Sequence, residues 1–133
     1  MSGASARQAW IVAQVPLRGD EHVVELGCGH GVAASLLCER LTDGSYLGID
    51  RSPTMVAAAE RRTHAHVEVG RARFQTATVV DAAYPEAVDV VLAIHLPVLD
   101  RGDPAASRFS LSDVVRGDPE DRPTAVVELR PTP

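Results

Sequence analysis

At 133 residues the chain is long enough for one domain with a real core and too short for two. With 45% hydrophobic and 23% charged residues it reads as globular rather than disordered, and no apolar run approaches the ~18 residues that a membrane span requires. A net charge of −5, with all 13 basic residues arginine, disfavours nucleic acid as a partner.

Met1 to Arg7 carries one arginine and no long apolar stretch, so no secretory leader is expected and the cytoplasm is the expected compartment. Residues 4–15 read as a short helix with Trp10, Ile11 and Val15 as apolar anchors, ended by Pro16 and Gly19-Asp20. His22 to Leu26 is a short apolar strand that ends in Glu25-Leu26. A glycine then follows at every second position, in Gly27-Cys28-Gly29-His30-Gly31. A helical pattern begins at once, because Ala33, Leu36, Leu37 and Leu41 fall on one face. Cys28 and Cys38, ten apart, make no disulfide framework. No second pair at zinc-like spacing accompanies Cys28-x-His30, so no metal is expected.

Asp43-Gly44 ends that helix, and Ser45 to Ile49 reads as the second strand. Asp50 stands at its end, about twenty residues beyond the glycine turn. Ser52 is a good N-cap and Pro53 a good first helical residue, so a helix is expected from there through Met55, Val56 and Ala59 to about Arg62. His64-x-His66 reads as its polar end. Arg71 to Thr78 alternates, with Ala72, Phe74 and Thr76 on one side, and so predicts a half-exposed edge strand. Val88 to Ile94 is nearly all apolar, as a strand covered on both faces should be. Burial therefore predicts a parallel sheet in the order 3-2-1-4, with ligand at the carboxyl ends of strands 1 and 4, where the winding reverses.

Residues 81–121 hold nine acids against three arginines and read as a solvated acidic surface. Asp103-Pro104 opens an expected short helix carrying Phe109, Leu111, Val114 and Val115. Thr124 to Leu129 then reads as a fifth strand, since its β-branched residues favour extended backbone. An alternative is that Glu128-Leu129-Arg130-Pro131 is a turn before a strand that is missing.

Glu25-Leu26-Gly27-Cys28-Gly29-His30-Gly31 resembles the first motif of class I S-adenosylmethionine-dependent methyltransferases, E/D-x-G-x-G-x-G. Gly48-Ile49-Asp50-x-Ser52-x-x-Met55 resembles the second motif of that family. The NAD-type fingerprint G-x-G-x-x-G needs a glycine where Val32 stands, which disfavours a dinucleotide. The third motif departs from the family: a small residue and an aspartate are usual after strand three, and here Ala77-Thr78 stands there with Asp81 three residues on.

The resemblance covers residues 1–98 and implies one domain over 1–133, a Rossmann-like doubly wound α/β sheet of order 3-2-1-4-5 with helices on both faces. It implies S-adenosylmethionine as cofactor, held by Glu25, Gly27, Cys28, Gly29, Gly31, Asp50, Arg51, Met55, Thr78 and Ala93. Asp50 would take the ribose hydroxyls, and Glu25 the ammonium or its water. His95, just past strand four, would serve as the base for an oxygen or nitrogen nucleophile. His95-Leu96-Pro97 is not the Asn-Pro-Pro-aromatic signature of enzymes that methylate base or side-chain amino groups, which leaves a small molecule as the expected acceptor. The family's C-terminal antiparallel hairpin is expected to be absent. The fifth strand would then present an open edge, on which a second copy of the chain could pair as a homodimer. The alternative is a methyltransferase-like subunit that binds the cofactor without catalysis.

Overall fold

The computed structural model describes residues 3–93, 109–116 and 125–131. Helix α1 (Gly3–Gln14) leads into strand β1 (His22–Leu26), helix α2 (Val32–Glu39), strand β2 (Ser45–Asp50), helices α3 (Pro53–Arg62) and α4 (His64–Glu68), and strands β3 (Ala72–Thr76) and β4 (Val90–Ala93). The sheet runs β3-β2-β1-β4, and every pair is parallel. This is the order expected from burial: all four residues of β4 and the last four of β1 are buried, whereas β3 at the edge is only partly so.

One face of the sheet packs Val23, Tyr46, Ala72, Val90 and Leu92 against Ile11, Val12 and Val15, and against Ala33, Ala34, Leu37, Cys38 and Leu41. Ile11 and Val15 are one helical turn apart and both bury. Trp10 projects off that stripe and stays half exposed at 47%, so it is not the anchor expected of it. Two side chains tie α1 to α2 in parallel. Gln8 Oε1 accepts the Ala33 N–H at 3.1 Å, at the start of α2. The Arg40 guanidinium donates to the carbonyls of Val12 and Val15, at 2.5 and 2.7 Å. Gln8 satisfies a first-turn N–H of α2, and Arg40 clamps the exit of α1, where the Val12 carbonyl also accepts the Val15 N–H at 3.1 Å. As expected, the Ser52 side chain accepts the Met55 N–H at 3.3 Å, with Pro53 at the first helical position.

The other face, with Val24, Leu26, Leu47, Ile49, Val91 and Ala93, is covered by Ala82 and by Ala77, Val79, Tyr84 and Val88. Among the described residues the helices gather on the first face, where α3 packs against α2, so helices on both faces are not found. The segment 77–88 has reasons not to coil. Thr78 Oγ1 donates to Asp81 at 2.9 Å and accepts its N–H at 3.2 Å. The Gln75 amide pairs with the Ala83 backbone in both directions, at 2.7 and 3.0 Å. Pro85 also withholds a donor.

Two further strands, β5 (Phe109–Arg116) and β6 (Ala125–Pro131), form an antiparallel pair. This bears on three expectations. Phe109 to Val115 is strand and not helix. Phe109-Ser110-Leu111-Ser112 alternates with period two, and the ladder shifts register between Leu111 and Asp113, where the alternation breaks. The expected fifth strand is β6, but it is hydrogen-bonded to β5. Among the described residues the hydrogen-bonded parallel sheet comprises β3-β2-β1-β4, and β6 lies beside β4 without joining that ladder. A C-terminal antiparallel pair is present, and the edge expected to lie open on β6 is paired along its length. His95, Ile94 and the Asp103-Pro104 helix start lie outside the described residues.

Leu37 is fully buried between α2 and the sheet. Leu37→Ala should cost about 2–5 kcal/mol of unfolding free energy, measured by urea denaturation; a loss below ~1 kcal/mol would contradict this packing.

Candidate functional site

The glycine turn after β1 is suspended from the end of β2. The Ile49 carbonyl accepts both the Gly27 and the Cys28 N–H, at 2.7 and 3.0 Å. The next side chain completes the attachment: Asp50 Oδ2 accepts the Gly29 N–H at 3.0 Å, and Oδ1 accepts the Ser52 N–H at 2.9 Å. One carboxylate thus joins the two sequence motifs and still has lone pairs to offer. The register sets this up, because Leu26 pairs with Ile49 on one side and with Ala93 on the other. Glu25, Asp50 and Ala93 all stand at the carboxyl edge of neighbouring strands.

The glycines are needed for different reasons. Gly29, at φ +55°, has open space where a side chain would begin, with nothing within 4 Å of a built Cβ. Gly31, at φ +89°, lies against α3, where a Cβ would come 2.9 Å from the Ala59 Cα. The first leaves the turn accessible from outside; the second lets α3 close on α2.

Glu25 lies on the helix-bearing face and is 2% exposed. The Tyr46 hydroxyl donates to its Oε1 at 2.6 Å. Among the described residues Oε2 receives no hydrogen bond. Burial pushes the carboxyl up to about 8; the Tyr46 hydroxyl pulls it down, and the charge of Asp50 adds to the rise. Burial, with the charges of Glu25 and Asp50, also pushes the Cys28 thiol up to about 12, so it is a buried thiol and not a nucleophile.

The other expected residues fall as follows. Arg51 and Met55 are exposed, in the link to α3 and in its first turn. Ala93 is buried at the end of β4. Thr78 turns to Asp81 just beyond β3. Among the described residues, no group of three or more His, Cys, Asp or Glu could hold a metal ion.

Reading the sequence overlooks Tyr46 and Gln8. Tyr46 carried a usable signal: a hydroxyl inside an apolar strand needs a partner, and Glu25 sits in the neighbouring strand. Nothing in the pattern of residues 4–15 singles out Gln8.

A family model described as a methyltransferase domain matches residues 23–116, and the chain belongs to that family, with the class I S-adenosylmethionine-dependent methyltransferase fold. It is similar to the trans-aconitate 2-methyltransferase of Rhizobium leguminosarum, at 34% identity over 93 residues, covering 68% of this chain and 36% of that protein. The trans-aconitate 2-methyltransferase of Methylobacterium nodulans is 46% identical over 52 residues, 39% of this chain and 20% of that protein. The chain therefore spans between 20% and 36% of the length of these curated relatives. Two solved structures share the fold. Geranyl diphosphate methyltransferase in complex with S-adenosylmethionine superposes with a TM-score of 0.58 at 18% identity, covering 67% of this chain and 36% of that one. The apo form of the S-adenosylmethionine-dependent methyltransferase SibL gives 0.58 at 23% identity, covering 69% and 27%.

The folded chain holds a proton on Glu25 up to about pH 8, and the unfolded chain only to about 4.5. Between those values the folded state binds more protons, so the contribution of Glu25 to stability falls as pH rises through that window. Urea denaturation of the wild type against Glu25→Gln should show the difference in stability changing between pH 5 and 8. Parallel pH profiles for the two proteins would contradict the assignment.

Proposed function

We propose that this domain binds S-adenosylmethionine over the glycine turn and supports transfer of its methyl group to a small-molecule oxygen or nitrogen nucleophile. The observation that carries the reading is the Asp50 bridge: one carboxylate at the end of β2 grips the glycine turn through Gly29 and the start of α3 through Ser52. The residues present fit the cofactor. Gly29 opens to space that a ligand can enter. Asp50 has acceptor capacity left for a ribose diol. The buried Glu25 oxygen Oε2, without a hydrogen bond among the described residues, suits an ammonium or a water that serves it. Gly27, Cys28 and Gly31 shape the turn, while Arg51, Met55, Thr78 and Ala93 are assigned to its rim.

When bound, the cofactor supplies a methyl group already activated by a positively charged sulfur. What the chain must then contribute is chiefly placement of the nucleophile in line with that carbon, together with exclusion of water. His95 is assigned to take a proton where the acceptor carries one. The relatives are named for trans-aconitate, a small carboxylic acid, which supports a small-molecule acceptor and favours oxygen within the choice of oxygen or nitrogen.

A thermal-shift titration tests the reading, because a ligand that binds only the folded state raises its melting temperature. S-adenosylmethionine and S-adenosylhomocysteine should stabilise the chain and NADH should not. Asp50→Ala should weaken S-adenosylmethionine at least about tenfold, as loss of hydrogen bonds to a charged acceptor implies. Stabilisation by NADH alone, or equal S-adenosylmethionine affinity in Asp50→Ala, would overturn the assignment.

A further inference from the structure

Glu25 has a companion that the family motif does not name. On β2, Tyr46 and Gly48 point to the same face as Glu25, and Gly48 is the residue paired with Glu25 in the ladder. The tyrosine ring extends along its own strand, so that its hydroxyl lies over Gly48 and reaches the carboxylate. A Cβ at Gly48 would stand 2.8 Å from that hydroxyl oxygen and 2.8 Å from two carbons of the Phe74 ring. Phe74 is paired with Gly48 from the other side and packs on Tyr46 with centroids 5.6 Å apart and planes tilted by 57°. The glycine therefore opens the lane that the hydroxyl occupies, and Phe74 keeps the ring in it.

Among the residues whose side chains are described, the following groups face Glu25. Tyr46 donates from β2, the charge of Asp50 acts from its end, Cys28 lies in the turn and Cys38 on α2. Its neighbour on β4 is the apolar Leu92. Tyr46, fully buried and beside a carboxylate, is held far above the usual phenol range by burial first and by Glu25 next, so it stays a donor. Without it, Glu25 would have two unsatisfied oxygens and freedom to rotate in a buried site.

We propose that Tyr46 is a positioning residue for the cofactor. By fixing one oxygen of Glu25 across Gly48, it presents the other to the ammonium end of S-adenosylmethionine and favours the charged form that such a cation needs. This deepens the binding reading above and rests on it.

Isothermal titration of S-adenosylmethionine across pH 6–9 tests it, with wild type, Tyr46→Phe, Glu25→Gln and the double variant. Tyr46→Phe keeps the ring against Phe74 and removes only the donor. It should weaken affinity about tenfold at pH 7, the expected effect of one hydrogen bond to a charged group. It should also move the rise of affinity to higher pH, because the hydroxyl lowers the carboxyl's pKa. In the Glu25→Gln background the same change should have little further effect. A second readout does not depend on that variant folding. In Tyr84→Phe, Tyr46 is the one remaining tyrosine, and its ring-carbon NMR resonance should shift in step with cofactor saturation. A wild-type affinity and pH profile in Tyr46→Phe would overturn the proposal, as would a full effect persisting beside Glu25→Gln or an unmoved tyrosine resonance. Absence of any S-adenosylmethionine binding by the unaltered chain would instead remove the reading on which the proposal stands.

Discussion

The Asp50 carboxylate is the constraint on which the site depends. With the Ile49 carbonyl it holds the turn after β1 against the end of β2, and through Ser52 it sets where α3 begins. Three N–H groups that a tight turn and a strand exit would otherwise leave to water are satisfied at one point: those of Gly27 and Cys28 by the carbonyl, and that of Gly29 by the side chain. The bond from Gly29 to the charged carboxylate contributes about 1.5–3 kcal/mol and the two to the neutral carbonyl about 0.5–1.5 kcal/mol each, together enough to give the turn one shape. The opening above Gly29 then has a fixed place relative to the carboxyl ends of β1, β2 and β4.

Beneath the turn lies the second polar feature, the row Glu25–Tyr46–Phe74 across Gly48. A carboxyl group this deeply buried opposes folding when charged, and an apolar residue there would pack without that penalty. Under the binding reading proposed above, a ligand that carries positive charge offsets that penalty. The same burial that raises its pKa makes it responsive to such a ligand, since a nearby cation restores the charged form. α1 adds to the frame from outside: Gln8 reaches the first turn of α2, and Arg40 holds the end of α1 in return.

Much of this arrangement is legible in the sequence, wherever a residue type has one dominant local consequence. The glycine spacing after Glu25, Ser52-Pro53 before Met55 and the contrast between apolar β1 and alternating β3 each point to the structure found. The parallel order follows, because burial alone ranks the strands from centre to edge. What is not legible depends on side chains reaching across elements. Tyr46 reads as one more apolar strand residue until its register with Gly48 and Glu25 is known. Trp10 reads as an anchor on hydrophobicity, yet Ile11 and Val15 take the inner face. Phe109 to Val115 reads as helix from a start at Asp103-Pro104, whereas its own period of two favours the strand that forms. The bare face covered by residues 77–88 turns on the clasp between Gln75 and Ala83, which no local pattern announces.

The most direct test of the central claim is a two-dimensional amide NMR titration of the 15N-labelled chain with S-adenosylmethionine. The bridge made by Asp50 predicts that the resonances of Gly27 to Gly31 and of Asp50 to Ser52 move together along one saturation curve, while those of Val67 to Gly70, at the far end of α4, stay in place. Movement at α4 with the glycine turn unchanged would contradict it.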